Sequence, residues 1–195
     1  MLAERPLQLN PLTVETAAPK GKALLEQAQK NLGFIPNMYA RMVNSPGLLE
    51  AYLTGYAAFR SDSGLTPAEQ EVVFLVISQE NGCEYCVSAH SFIADKKSGL
   101  DPAVTDAIRE GAAIADPRLA ALADFTRTMV VKRGLPAASE VERFLAAGYT
   151  ERQILEIVLA IAVKTLSNYA NHLFHTPLDP VFADRQWADP RSQPR

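Results

Sequence analysis

Two cysteines are too few for a framework of several disulfides, so a core must hold this chain of 195 residues together. There is no run of about 18 apolar residues, the least that a membrane-spanning helix needs. The longest apolar stretch, Ile157 to Val163, stops at Lys164. Met1-Leu2-Ala3-Glu4-Arg5-Pro6 lacks the apolar centre of a signal peptide, so the expectation is a cytoplasmic protein with no membrane partner. A net charge of -3 leaves no electrostatic footprint for nucleic acid. No GxGxxG or Walker loop is present, and no haem, flavin or nicotinamide motif, so no cofactor is expected. Zinc would need about four ligands, and beyond the two cysteines only three histidines and assorted carboxylates are on offer. No segment reads as a strand longer than a few residues.

What is present is the composition of an ordinary globular domain, 48% hydrophobic and 21% charged, long enough for one well-buried core. The pattern predicts a single all-α domain over 1–195, a compact multi-helix bundle with an extended arm at 1–17 and a polar tail at 180–195. Helix starts are marked repeatedly by a cap followed by proline: Ser45-Pro46, Thr66-Pro67, Asp101-Pro102 and Asp116-Pro117. Thr66 with Glu69, and Thr150 with Gln153, form capping boxes, and Ser139 to Glu142 reads as a third. Tyr52, Tyr56 and Phe59 recur at helical spacing and read as core rather than a ligand cage. The helices starting at Thr66 and Thr150 resemble each other in cap, apolar centre and polar end, which hints at an internal duplication. The tail with Trp187 either docks on a neighbouring element or is disordered.

Chemistry concentrates between Glu71 and His90, where both cysteines lie. Asn81-Gly82 ends one helix and lets another start at Cys83, expected to run to about Lys97. On that second helix Cys86 lies roughly 60° and His90 roughly 20° round from Cys83, so one face carries two thiols and an imidazole. The free amides of a first turn favour a thiolate. Glu71 shares an apolar stripe with Phe74, Leu75 and Ser78, where desolvation is expected to raise its proton affinity. Glu80 and Glu84 read as solvated charges. His172 and His175, with Asn168 and Asn171, form a polar cluster at the end of the last helix, read as capping or interface bonding because no carboxylate is spaced to complete a metal site. The two thiols compete for the role of nucleophile. Position at the helix start favours Cys83 as the more acidic, whereas proximity to His90 favours Cys86.

Glu71, Cys83, Cys86 and His90 match all four positions of the Glu-x(11)-Cys-x-x-Cys-x-x-x-His signature, and the chain resembles the alkylhydroperoxidase D-like proteins of the carboxymuconolactone decarboxylase superfamily. Gly33-Phe34-Ile35-Pro36-Asn37 and Asn44-Ser45-Pro46 resemble its peroxidase-related branch, and the likeness covers roughly residues 20 to 180. The resemblance implies an all-α fold of the alkylhydroperoxidase D-like type and a thiol-dependent peroxidase. Cys86 would form the sulfenic acid, Cys83 would act as proton donor and resolving partner, and His90 and Glu71 would relay the proton. It further implies a hydroperoxide substrate, a lipoamide-like or thioredoxin-like dithiol reductant, and a homo-oligomer. Two alternatives stand beside it. One is a decarboxylase of a lactone acid, against which the intact dithiol argues. The other is a non-enzymatic redox sensor that uses the same disulfide as a switch.

Overall fold

The computed structural model describes residues 2–192, and among these the regular elements are helices. Nine α-helices follow in order: α1 (Pro19–Leu32), α2 (Asn37–Met42), α3 (Pro46–Asp62), α4 (Pro67–Glu80), α5 (Glu84–Ile93), α6 (Pro102–Glu110), α7 (Pro117–Val131), α8 (Ala138–Ala146) and α9 (Glu151–Phe174). The expected all-α fold is what forms.

Helix α4 is the axis of the bundle. Every residue from Glu69 to Ser78 is buried, because α4 packs against α5, α6, α7 and α9 and so has no solvent face. Its start is as the sequence requires. The Thr66 hydroxyl accepts the Glu69 amide, and the Glu69 carboxylate accepts the Thr66 amide at 2.8 Å, a cap contributing about 1 kcal/mol. Asp101 and Asp116 cap α6 and α7 in the same way, each before a proline at the first helical position.

Three sequence expectations need correction. Ser45 holds the N-cap position of α3 but its side chain makes no capping bond. Helix α8 begins two residues earlier than Ser139 to Glu142 implies. Starting at Ala138 places Glu140 third in the helix, where its carboxylate accepts the Ala137 amide at 2.7 Å and also meets Lys132 at 2.8 Å. Helix α5 does not run on regularly to Lys97. It passes after Ile93 into a wider π-turn over Ala94–Ser98, closed by Gly99 in the left-handed conformation at φ 68°, and such turns gather at functional sites. Of the two alternatives for the tail, docking is the one that the structure shows for its described residues. Short 3-10 turns at Pro180–Arg185 and Pro190–Ser192 frame a buried Trp187, whose indole N–H donates to the Arg109 carbonyl at 3.0 Å.

Candidate active site

The turn between α4 and α5 sets the geometry. Asn81 caps α4, Gly82 takes the left-handed conformation at φ 67°, and the Cys83 amide reaches back to the Ser78 carbonyl at 2.9 Å. This closes α4 and reverses the chain within three residues. Cys83 then becomes the N-cap of α5, in extended conformation, and Cys86 is the third residue of the helix. Cys86 therefore sits among first-turn amides that lack intrahelical partners. His90 follows one turn later, facing back to α4.

There it meets Glu71. The His90 Nδ1 lies 2.8 Å from Glu71 Oε2, while Glu71 Oε1 accepts from the Arg60 guanidinium and from the Ser98 hydroxyl at 3.3 Å. Burial alone raises the proton affinity of Glu71, as its apolar stripe led one to expect. His90 and Arg60 outweigh that term, so the carboxyl lies below its ordinary range and the expectation of a raised value is corrected. Glu71 is a fixed anion. It places a hydrogen on His90 Nδ1 and leaves Nε2 as an acceptor. His90 is itself held below the usual imidazole range by burial, and by the Lys164 charge, so it is neutral near pH 7.

Both thiols are free and almost fully buried. The Asn171 amide of α9 lies between them, its Nδ2 3.3 Å from Cys86 Sγ and 3.8 Å from Cys83 Sγ. Ser167 Oγ is 3.9 Å from Cys86 Sγ. Burial works against ionisation of Cys86, but the adjacent Cys83 thiol, Lys164, His90 and Ser167 together pull it well below the ordinary thiol range. Cys83 is pushed well above that range, by burial and then by Cys86 itself.

Access separates the two thiols as well. A cavity of about 510 Å³ opens beside the site, bounded by Cys86, His90 and Lys164 and by aromatic side chains including Tyr52, Tyr56, Tyr85 and Phe182. Cys86 lines it and Cys83 does not. Of the aromatics that read as plain core, Phe59 is core, whereas Tyr52 and Tyr56 also face this cavity.

The polar cluster at the end of α9 divides. Asn171 joins the thiols, and Asn168 accepts from Asn81 at 2.9 Å. His175 closes α9 in the left-handed conformation, its Nε2 2.7 Å from the Ala3 carbonyl, and His172 stacks beside Tyr169. Among the described residues no group of three or more His, Cys, Asp or Glu side chains is placed to hold a metal. Glu80 and Glu84 are not simply solvated: Glu80 pairs with Arg127 at 2.7 Å, and Glu84 accepts the Asp189 amide at 3.1 Å. Sequence reasoning missed Arg60, Lys164 and Ser167. Lys164 had a signal, a single cation inside the apolar course of α9.

The family model for the carboxymuconolactone decarboxylase family matches residues 46–128, which span α3 to most of α7 and include Arg60, Glu71, both cysteines and His90. Among curated proteins none matches the sequence. Among solved structures, a peroxidase-related protein with an alkylhydroperoxidase D core from Ralstonia eutropha JMP134 is 24% identical, with a TM-score of 0.77 over 92% of this chain and 96% of that one. A peroxidase-related protein from Silicibacter sp. TM1040 is 23% identical, with a TM-score of 0.72 over 91% and 95% of the two chains. The debrominase Bmp8, solved as a cysteine-to-alanine variant with 2,3,4-tribromopyrrole, is 18% identical, with a TM-score of 0.73 over 92% and 95%. The motif on α4 and α5 thus lies inside the segment that matches the carboxymuconolactone decarboxylase family model, and the whole bundle shares the fold of the alkylhydroperoxidase D core.

Proposed function

We propose that the protein is a thiol peroxidase in which Cys86 attacks and Cys83 resolves. The observation that carries the reading is the asymmetry of the two thiols: the acidic one lines the cavity, and the one held protonated stands behind it. Cys86 rests as the thiolate, and His90 Nε2, neutral at rest, relays the proton that the Cys83 thiol supplies, its transient positive charge stabilised by Glu71. The thiolate then attacks the outer oxygen of a hydroperoxide. The O–O bond breaks, Cys86 becomes a sulfenic acid, and the leaving alkoxide takes the proton from His90 as an alcohol. The Cys83 thiolate so left displaces hydroxide from the sulfenic sulfur, forming the disulfide, and the hydroxide leaves as water with a proton from solvent. An external dithiol returns the pair to the reduced state by exchange, becoming a disulfide itself.

The test is a thiol count by mass spectrometry after one equivalent of cumene hydroperoxide, repeated after dihydrolipoamide or reduced thioredoxin. Loss of both thiols as a Cys83–Cys86 disulfide, restored by the donor, is the expected result. Thiols that remain reduced refute the reading.

A second reading is favoured by the aromatic wall of the cavity and by the likeness to a debrominase. The same dithiol can deliver its two electrons to a carbon–halogen bond, releasing halide and a proton and ending as the same disulfide. Bromide release from a bromopyrrole, without peroxide consumption, would select it.

A further inference from the structure

Lys164 is fully buried, yet its ammonium has no hydrogen-bond partner among the described residues. Its favourable contact is the face of Phe74, with Nζ 5.5 Å from the ring centroid, which offsets only a fraction of the cost of burying a charge. The other cation of the site, half-buried Arg60, is already matched by Glu71. The hydrogen-bond partners of Cys86 are Asn171, which donates to it, and Ser167, which accepts from it, rather than Lys164. Lys164 is nonetheless on the cavity wall, with exposed Lys97 on the same lining and neither Asp nor Glu among the lining residues. The cavity, about 510 Å³, lies in the range of about 300–1,000 Å³ that organic ligands occupy, far beyond what hydrogen peroxide requires.

We propose that Lys164 anchors the anionic group of an organic ligand, so that the substrate is an aromatic or otherwise apolar molecule bearing a carboxylate or an acid of similar strength. The proposal rests on the preceding reading only in taking this cavity as the way to Cys86. The apolar body lies against Tyr52, Tyr56 and Phe182, and the anion takes the free donors of Nζ. While Cys86 is a thiolate it shares the field of Lys164 with the ligand. Once Cys86 is tied into a disulfide that competition ends, and the ligand anion binds more tightly.

Isothermal titration calorimetry with 4-phenylbutyrate and its neutral analogue 4-phenylbutanol tests this on the full chain. It is run on the reduced protein and on protein oxidised with diamide, for the wild type and for Lys164→Met and Lys164→Gln. The methionine variant keeps the length of the side chain without charge or donor, and the glutamine variant keeps a donor without the charge; the thermal midpoint of each checks that it folds. The wild type is expected to bind the carboxylate at least tenfold more tightly than the alcohol, and both variants to bind the two probes alike. Oxidation should tighten carboxylate binding severalfold in the wild type and leave the variants unchanged. Carboxylate binding that survives both substitutions, or a wild type with no preference for the carboxylate, overturns the proposal. Peroxide is not used, so a protein that binds 4-phenylbutyrate through Lys164 but never oxidises with peroxide would refute the peroxidase reading and keep this one.

Discussion

At Cys86 the competition between burial and neighbouring charge is resolved in favour of the thiolate, which has a direct consequence for reactivity against pH. Only the thiolate alkylates, so the rate of iodoacetamide modification at Cys86 should be near its plateau at pH 8 and fall only as pH drops through the depressed value. Cys83, pushed the other way, should stay unmodified over the same range. Peptide-resolved mass spectrometry reads both sites at once. A Cys86 rate still climbing between pH 8 and 9, as a free thiol of pKa about 8.5 does, would contradict the assignment. The companion substitutions separate the roles: Cys83→Ser should leave a sulfenic acid at Cys86 that dimedone traps, and Cys86→Ser should abolish oxidation by hydroperoxide. His90 and Glu71 tie the same site to stability. Both have folded values depressed below the unfolded ones. The His90 contribution is therefore whole above about pH 6.5 and lost as pH falls through the folded value, whereas that of Glu71 is whole above about pH 4.3 and lost below it. Urea midpoints should drop between pH 7 and 5.5 in the wild type and drop less in His90→Gln. His172, also lowered by burial, contributes in the same window.

At the scale of the helix, the legible parts are those specified by neighbours in sequence. Thr66, Pro67 and Glu69 announce the start of α4, Asn81-Gly82 announces its end, and the i, i+3, i+4 spacing puts Cys83, Cys86 and His90 on one face. That α9 meets the thiols was not legible, although Lys164 and Asn171 stood out on it, because Lys164, Ser167 and Asn171 reach them only through the packing of α9 against α4 and α5, some 80 residues away in sequence. The proton affinity of Glu71 was misjudged for the same reason, since Arg60 comes from α3 and no spacing rule links the two. The seam that brings α9 in depends on a glycine. A Cβ at Gly55 of α3 would stand 2.8 Å from Val163 Cγ2, next to Lys164, and a β-branched valine in a helix has little rotamer freedom to yield. Gly55→Ala gains helix propensity of about 1 kcal/mol, yet overpacking of about 1–3 kcal/mol should outweigh it. The expected result is a lower urea midpoint at unchanged slope, together with slower Cys86 alkylation as α9 is pushed off the site. A midpoint that rises would show the seam to be looser than its distances imply.

Seen whole, the molecule uses opposite sides of α9 for different ends. The side bearing Ala160, Val163, Lys164, Ser167 and Asn171 is buried against the site, while Leu155, Val158, Ala162, Tyr169 and Leu173 remain exposed. Their spacing of three, four, seven and four residues keeps them on one stripe of the helix, roughly 27 Å long at 1.5 Å per residue. Leu7 and Leu9 of the N-terminal arm extend the patch beside the end of α9, where the Leu7 amide donates to the Leu173 carbonyl at 2.9 Å. A stripe of this length, apolar and open, is the signature of a partner surface rather than scattered exposed residues. A homo-oligomer through this face, which the family resemblance also implies, is the proposal that follows. Light scattering on the full chain should give a mass above the 21.3 kDa of one subunit. Leu155→Glu with Val158→Glu should reduce it by placing two charges in the seam. Because neither residue touches the cavity or the thiols, the dissociated variant should still form the Cys83–Cys86 disulfide with hydroperoxide if the chemistry is complete within one chain. A variant that dissociates and also loses disulfide formation would mean that the assembled state, and not the isolated bundle, holds Cys86 and Cys83 in reacting position.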